Sequence, residues 1–132
     1  MRLLARLLEP KATAYAHCDL PCGVYDPAQA RIEAESVKAI CQKYQDNNDP
    51  GFRTRALIIK EQRSELVKHH LWVLWTDYFK PEHLEKHPQL HELFWTATKE
   101  AGAAKKSEDP AQGQKLLDAV DEIAKVFWET KA

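Results

Sequence analysis

Apolar residues recur at spacings of three and four along most of the chain, and each such stretch follows a turn built around proline. Over about 27 to 45 one face carries Ala30, Glu33, Val37, Ile40 and Tyr44. Over about 50 to 78 the same spacing collects Phe52, Ala56, Ile59, Arg63, Leu66, His70 and Leu74. A third stripe holds Leu90, Leu93, Phe94, Ala97 and Ala101, and a fourth holds Leu116, Val120, Ile123 and Phe127. No stretch alternates in the way a half-buried strand requires.

The starts of these helices are written as Asp-Pro steps at Asp26-Pro27, Asp49-Pro50 and Asp109-Pro110. Asp accepts a hydrogen bond from the free amides of a first turn, and proline at the first helical position loses no bond that the helix would have made. His87-Pro88 opens the third helix in the same way, without a good capping side chain. Four amphipathic helices on short polar connections predict an all-α fold, an antiparallel four-helix bundle preceded by an N-terminal loop.

Glu33 and Arg63 stand out, because apolar neighbours a turn away on either side imply a core-facing direction and an unpaired buried charge is costly. Either the two pair with each other, or each stripe is a residue off and both side chains reach water.

A chain of 132 residues fits one domain. Its 44% hydrophobic and 30% charged residues are globular in kind, and the longest apolar run, Leu71 to Trp75, is far short of a membrane span. A formal charge of −1 with no Lys/Arg block indicates neither nucleic acid nor a membrane as partner.

Three cysteines make an odd number, with Cys18 and Cys22 crowded together, which argues for a metal-binding or reactive pair in a reducing, cytoplasmic setting. The first residues have some features of a targeting signal, Arg2, Arg6 and the small-residue pattern Ala14-Tyr15-Ala16, but Arg6 breaks the apolar stretch and Glu9-Pro10-Lys11 ends it. Removal of residues 1 to 16 as a pro-peptide by a maturation protease is expected ahead of export, leaving residues 17 to 132 as the domain.

A Cys-x-x-x-Cys spacing alone is compatible with zinc, copper, a disulfide or nothing. Its neighbours narrow the choice. His17 directly precedes Cys18, and Pro21 and Gly23 supply a turn that brings two sulfurs to one centre. Cleavage after Ala16 gives His17 a free α-amine, which binds metal where a peptide nitrogen in its place does not. That amine, the Cys18 amide and two thiolates form a tetragonal N2S2 set, which favours Ni(II) or Cu(II) over zinc.

The nine residues His17-Cys18-Asp19-Leu20-Pro21-Cys22-Gly23-Val24-Tyr25 resemble the nickel hook of nickel superoxide dismutases. The likeness extends over 17 to 132, through the Asp-Pro steps and the stretch from His69 to Trp75. It implies a four-helix-bundle subunit, a homohexamer, and one nickel ion per subunit that cycles between Ni(II) and Ni(III) while superoxide becomes dioxygen and hydrogen peroxide. By that resemblance His17 supplies amine and axial imidazole, Cys18 an amidate and a thiolate, and Cys22 the second thiolate. Glu33, backed by Arg63, holds the imidazole, and Asp19 and Tyr25 line the approach to the metal's open face. Lys80 and Lys105 are candidates for steering the anionic substrate.

Blander readings stand beside these. Cys41 reads as a small hydrophobe between helices. His83, His87 and His91 sit at four-residue intervals, but Pro88 interrupts any helix through them, so a loop before a helix start is predicted there. The Glu-x-x-His motif of di-iron bundles is absent from the sequence. The alternative functions are a nickel or copper carrier without turnover, and a bundle whose Cys18 and Cys22 form a redox-sensitive disulfide. The aromatic residues outnumber what a small core holds, which predicts subunit contacts.

Overall fold

The computed structural model describes residues 23 to 132. Its elements are α1 (Ala28–Asp46), α2 (Pro50–Val73), a π-helical turn (Leu74–Tyr78), α3 (Pro81–Lys86), α4 (Leu90–Lys105) and α5 (Pro110–Lys131). All three Asp-Pro steps act as helix starts. Asp26 Oδ1 accepts from Ala28 N at 2.8 Å, Asp49 Oδ2 from Phe52 N at 2.7 Å, and Asp109 Oδ1 from Ala111 N at 2.9 Å.

Helices α1, α2, α4 and α5 form a ring in which α1 packs on α2 and α5, and α4 packs on the same two. Side-chain pairs give the directions. Going up α1, its partners come from progressively lower positions: Glu33 and Tyr44 meet Arg63 and Arg53 of α2, while Arg31 and Lys38 meet Asp121 and Gly113 of α5. On the α2/α4 seam, Glu65 and Trp75 meet Lys105 and Phe94. The bundle is antiparallel throughout, as its short connections require.

The core runs along this ring through Val37, Val67, Leu71, Leu90, Phe94, Leu116, Val120, Ile123 and Phe127. The fourth predicted stripe is buried whole. On α1 and α2 the buried faces are rotated by about one residue from the predicted stripes. Ala30, Ala34, Val37 and Cys41 face inward on α1, and Ala56, Lys60, Ser64, Val67 and Leu71 do so on α2. Polar residues inside α2 caused that misreading. Lys60, only 2% exposed, reaches the Ser107 carbonyl oxygen, and Ser64 gives its proton to the Lys60 carbonyl, so both are partnered while Ile58 and Ile59 face outward.

Two local features differ from expectation. The helix predicted over 50 to 78 is regular only to Val73, after which it widens, closing with Phe79 N donating to Leu74 O at 3.0 Å. The wide turn lets Leu74 and Phe79 both enter the core before Pro81. The segment predicted as loop before Pro88 contains the short helix α3, started by Pro81 and carrying His83. Among the described residues no helix is long and apolar enough to cross a membrane.

Candidate metal centre

His17, Cys18, Asp19 and Cys22 lie outside the described residues, so the centre is built from what receives them. The segment enters at Gly23, whose φ of +67° is a left-handed turn with nothing within 4 Å of where a Cβ would stand. Tyr25 follows, partly buried, its ring 5.6 Å from that of Tyr78 on the π-helical turn. Here Val24, Tyr25, Asp26, His70, Val73 and Leu74 line a cleft of about 120 Å³, so the first described residues close against the end of α2.

Glu33 lies about five residues into α1, about 8 Å along the axis from its start. Arg63 of α2 faces it, and Arg63 Nη1 donates to both carboxylate oxygens at 3.1 and 3.2 Å. Only 13% of the Glu33 side chain is exposed, against 43% for Arg63. Both sequence alternatives hold in part: the stripes are a residue off, and the two charges pair. The exposed arginine limits this pair's own contribution to stability to about 1 kcal/mol or less. It contributes little to holding the bundle, and it fixes the direction of the Glu33 carboxylate.

Six residues, 17 to 22, span at most about 20 Å when extended. A carboxylate fixed on one side by a guanidinium keeps lone pairs for another donor, which suits the N–H of an imidazole. An amine, an amidate and two thiolates are in turn the donor set that suits nickel in tetragonal geometry. The residues fit the metal.

Lys80 and Lys105 are on different sides. Lys80 precedes α3, and its backbone N–H donates to His83 Nδ1 at 3.2 Å. The His83 ring stacks on Tyr78 at 5.6 Å, which places Lys80 two ring contacts from Tyr25. Lys105 ends α4 and is ion-paired with Glu65, whose carboxyl its hydrogen bond holds below the ordinary range. Glu65 and Arg63, two apart on α2, project to nearly opposite sides of that helix, so Lys105 and the Glu33–Arg63 pair are on different faces.

Cys41 is buried between α1 and the α4–α5 connection, its Sγ 3.9 Å from Ser107 O. Burial pushes its thiol pKa up, with Lys60 pulling the other way, so it stays a protonated core residue. The three histidines do not converge: His83 lies on Tyr78, His87 faces Glu129 at 3.6 Å, and His91 lies against Trp75. Among the described residues no group of three or more His, Cys, Asp or Glu is arranged to hold a metal.

The sequence reading missed Tyr78 and His70 as neighbours of Tyr25, and Lys131 as a neighbour of Tyr78. Lys131 Nζ stands 5.0 Å over the Tyr78 ring, which also meets Phe127 at 4.4 Å. Helical spacing placed His70 on the α2 stripe but carries no signal for these meetings, which depend on the path of the chain at helix ends.

The model of the family described as nickel-containing superoxide dismutase matches residues 12 to 131. The chain belongs to that family. The superoxide dismutase [Ni] of Streptomyces coelicolor (strain ATCC BAA-471 / A3(2) / M145) is 64% identical over 129 residues, 98% of each chain, and that of Streptomyces seoulensis is 64% identical over the same share. The native structure of a nickel superoxide dismutase is 66% identical, with a TM-score of 0.85, covering 87% of this chain and 98% of that one.

For a nickel superoxide dismutase the Glu33–Arg63 pair makes a direct prediction. Glu33→Gln keeps the shape but weakens acceptance from an imidazole N–H, and is expected to lower nickel affinity or dismutase activity about 10- to 100-fold. Thermal melting should move little. A Glu33→Gln protein with unchanged metal affinity and activity would remove Glu33 from the site.

Proposed function

We propose that this chain disproportionates superoxide to dioxygen and hydrogen peroxide at a nickel centre formed by residues 17 to 22 after residues 1 to 16 are cut away. The observation that carries this reading is the sequence His17-Cys18-x-x-x-Cys22 at the head of a family bundle whose α1 and α2 pair Glu33 with Arg63. Nickel, once bound, supplies the one-electron oxidation and reduction that turns two superoxide ions and two protons into one dioxygen and one peroxide.

The protein's own residues bind, orient and shield. The His17 amine, the Cys18 amidate and thiolate, and the Cys22 thiolate would hold the nickel. Glu33 accepts from the His17 ring and, held by Arg63, fixes its direction. Tyr25 stands at the mouth with Asp19, where a phenol positions water and narrows the opening to small anions. Lys80, linked to Tyr25 through His83 and Tyr78, is the steering cation this reading favours; Lys105, paired with Glu65 on another face, has less support.

Removal of the leader is supported by the lengths of the solved relatives. One such chain is matched over 98% of its length by 87% of this one, a shortfall of the size that loss of residues 1 to 16 would leave. A homohexamer is supported by large apolar side chains left outward, with Ile32 59%, Trp95 61% and Trp128 53% exposed. A maturation protease and cytoplasmic residence follow from the short broken leader and the thiolate ligands, which need a reducing compartment.

The test is superoxide decay by stopped flow, using chain beginning at His17 that has been loaded with nickel under reducing conditions. One nickel per chain and decay far above the metal-free protein are expected. Tight binding with no faster decay would leave a metal carrier instead, and a Cys18–Cys22 disulfide with no bound metal would leave a redox-sensitive bundle.

A further inference from the structure

Between the second half of α1 and the first turns of α2 lies a cleft of about 630 Å³, a size that suits a small molecule. Ile40 of α1 and Phe52, Ala56 and Ile59 of α2 give it apolar walls. Phe52 and Ile59 stay exposed beside it, so the bundle itself does not use this surface.

The two ends of the cleft differ in charge. Arg53 stands 4.0 Å over the Tyr44 ring, which sets the end of α1 beside the start of α2. Lys43, next to Tyr44, brings its charge to that end, and Arg55 adds another from the second turn of α2. Among the described residues neither cation has an ion-pair partner. The one carboxylate lining the cleft, Asp49, is engaged as the cap of α2, with Phe52 N donating to its Oδ2 at 2.7 Å. The positive end of the α2 dipole strengthens the same field. At the opposite end, one turn beyond Ile59, Arg63 donates to Glu33, and this ion pair ends the apolar strip. From Phe52 to Ile59 the strip runs about 10 Å along α2.

We infer that this cleft binds a free medium-chain carboxylate, chemically a short fatty acid, one per chain. Its carboxylate lies between Lys43 and Arg55, and its chain follows Ile40, Ala56 and Ile59, stopping short of Arg63. Two unpaired cations on an apolar wall select an anion over a neutral or cationic amphiphile. The Glu33–Arg63 pair sets the length limit, because a longer chain would have to bury methylenes against charge. Binding needs neither nickel nor any residue before Gly23.

The test is titration calorimetry of chain beginning at His17 with decanoate below its micellar concentration, joined to NMR of the isoleucine methyl groups. One decanoate per chain is expected, with the Ile40 and Ile59 signals shifting together. From hexanoate upward each added methylene should tighten binding about three- to fourfold until the strip is filled, after which further methylenes add nothing. Lys43→Gln and Arg55→Gln should each weaken decanoate about tenfold and leave decanol unmoved. Ile59→Glu, at an exposed position, should abolish binding while thermal melting holds. Decanol or decyltrimethylammonium bound as tightly as decanoate would reduce the cleft to an apolar surface and overturn the inference, as would a gain that continues to hexadecanoate. A parent chain that binds no decanoate also overturns it, and an Ile59→Glu variant of lower oligomeric mass would then identify a second copy of the chain as the occupant.

Discussion

Protein that keeps residues 1 to 16 is expected to consume superoxide no faster than metal-free chain, at least about a thousandfold below the processed form. The reason is local. In the uncut chain the nitrogen of His17 belongs to a peptide bond with Ala16, so the electron-rich square lacks one corner. Cutting that bond produces an α-amine, whose ordinary pKa of about 7.7 to 8.0 leaves roughly a tenth of it unprotonated at neutral pH, from which a bound metal displaces the remaining proton. Among the described residues the buried core spans residues 30 to 127, all of them in the processed domain. Melting of the two forms without metal should therefore coincide, and the difference should appear only in nickel content and superoxide decay. In processed protein, Cys18→Ser and Cys22→Ser should each reproduce the inactive state without lowering metal-free stability. Activity in the uncut chain would mean that the amine is not a ligand.

The second large effect is on the bundle. A Cβ on Gly113 of α5 would lie 2.5 Å from the Lys38 Cα and 3.0 Å from the Lys38 nitrogen, both backbone atoms of α1. The helices meet there with no room for a methyl. Alanine would gain about 1 kcal/mol in helix propensity over glycine, but the clash is with backbone that cannot turn aside, and forcing it costs about 1 to 3 kcal/mol or more. Gly113→Ala should lower stability by about 2 kcal/mol, shifting Tm down by about 10 °C in a domain of this size. Gly102 of α4 is the control. A Cβ there would meet only the flexible end of Lys68 at 3.5 Å, so Gly102→Ala should stabilise by about 0.5 to 1 kcal/mol. Opposite signs in denaturant melts identify close helix contact as the cause, and equal signs would contradict it.

Much of this was legible in the sequence, for reasons that differ by residue. Helix starts were readable because an Asp side chain and a Pro ring act within three residues of themselves. The face of α5 was readable because Leu116, Val120, Ile123 and Phe127 are apolar with no polar competitor at the same spacing. The face of α2 was misread because Lys60 is buried against a carbonyl 47 residues away, a partner that periodicity does not show, while Ile59 drew the stripe outward. The metal segment is proposed from sequence because its ligands fall within six residues, so its chemistry precedes folding. Tyr78 and Thr130 were not, since their meeting depends on a widened turn ending α2 and on the last turn of α5. Glu33 and Arg63 lay between these cases: their charge marked them as misplaced, and only the packing of α1 on α2 brought them to 3.1 Å.

The most direct measurement compares chain beginning at His17 with chain beginning at Ala16, identical in every sulfur and imidazole and differing in where the free amine sits. Nickel per chain, electron paramagnetic resonance and superoxide decay are read on both. One bound nickel, a rhombic Ni(III) signal and rapid decay should appear only when His17 is first. Equal decay from the chain that starts one residue earlier would contradict the proposal that freeing this nitrogen switches the enzyme on.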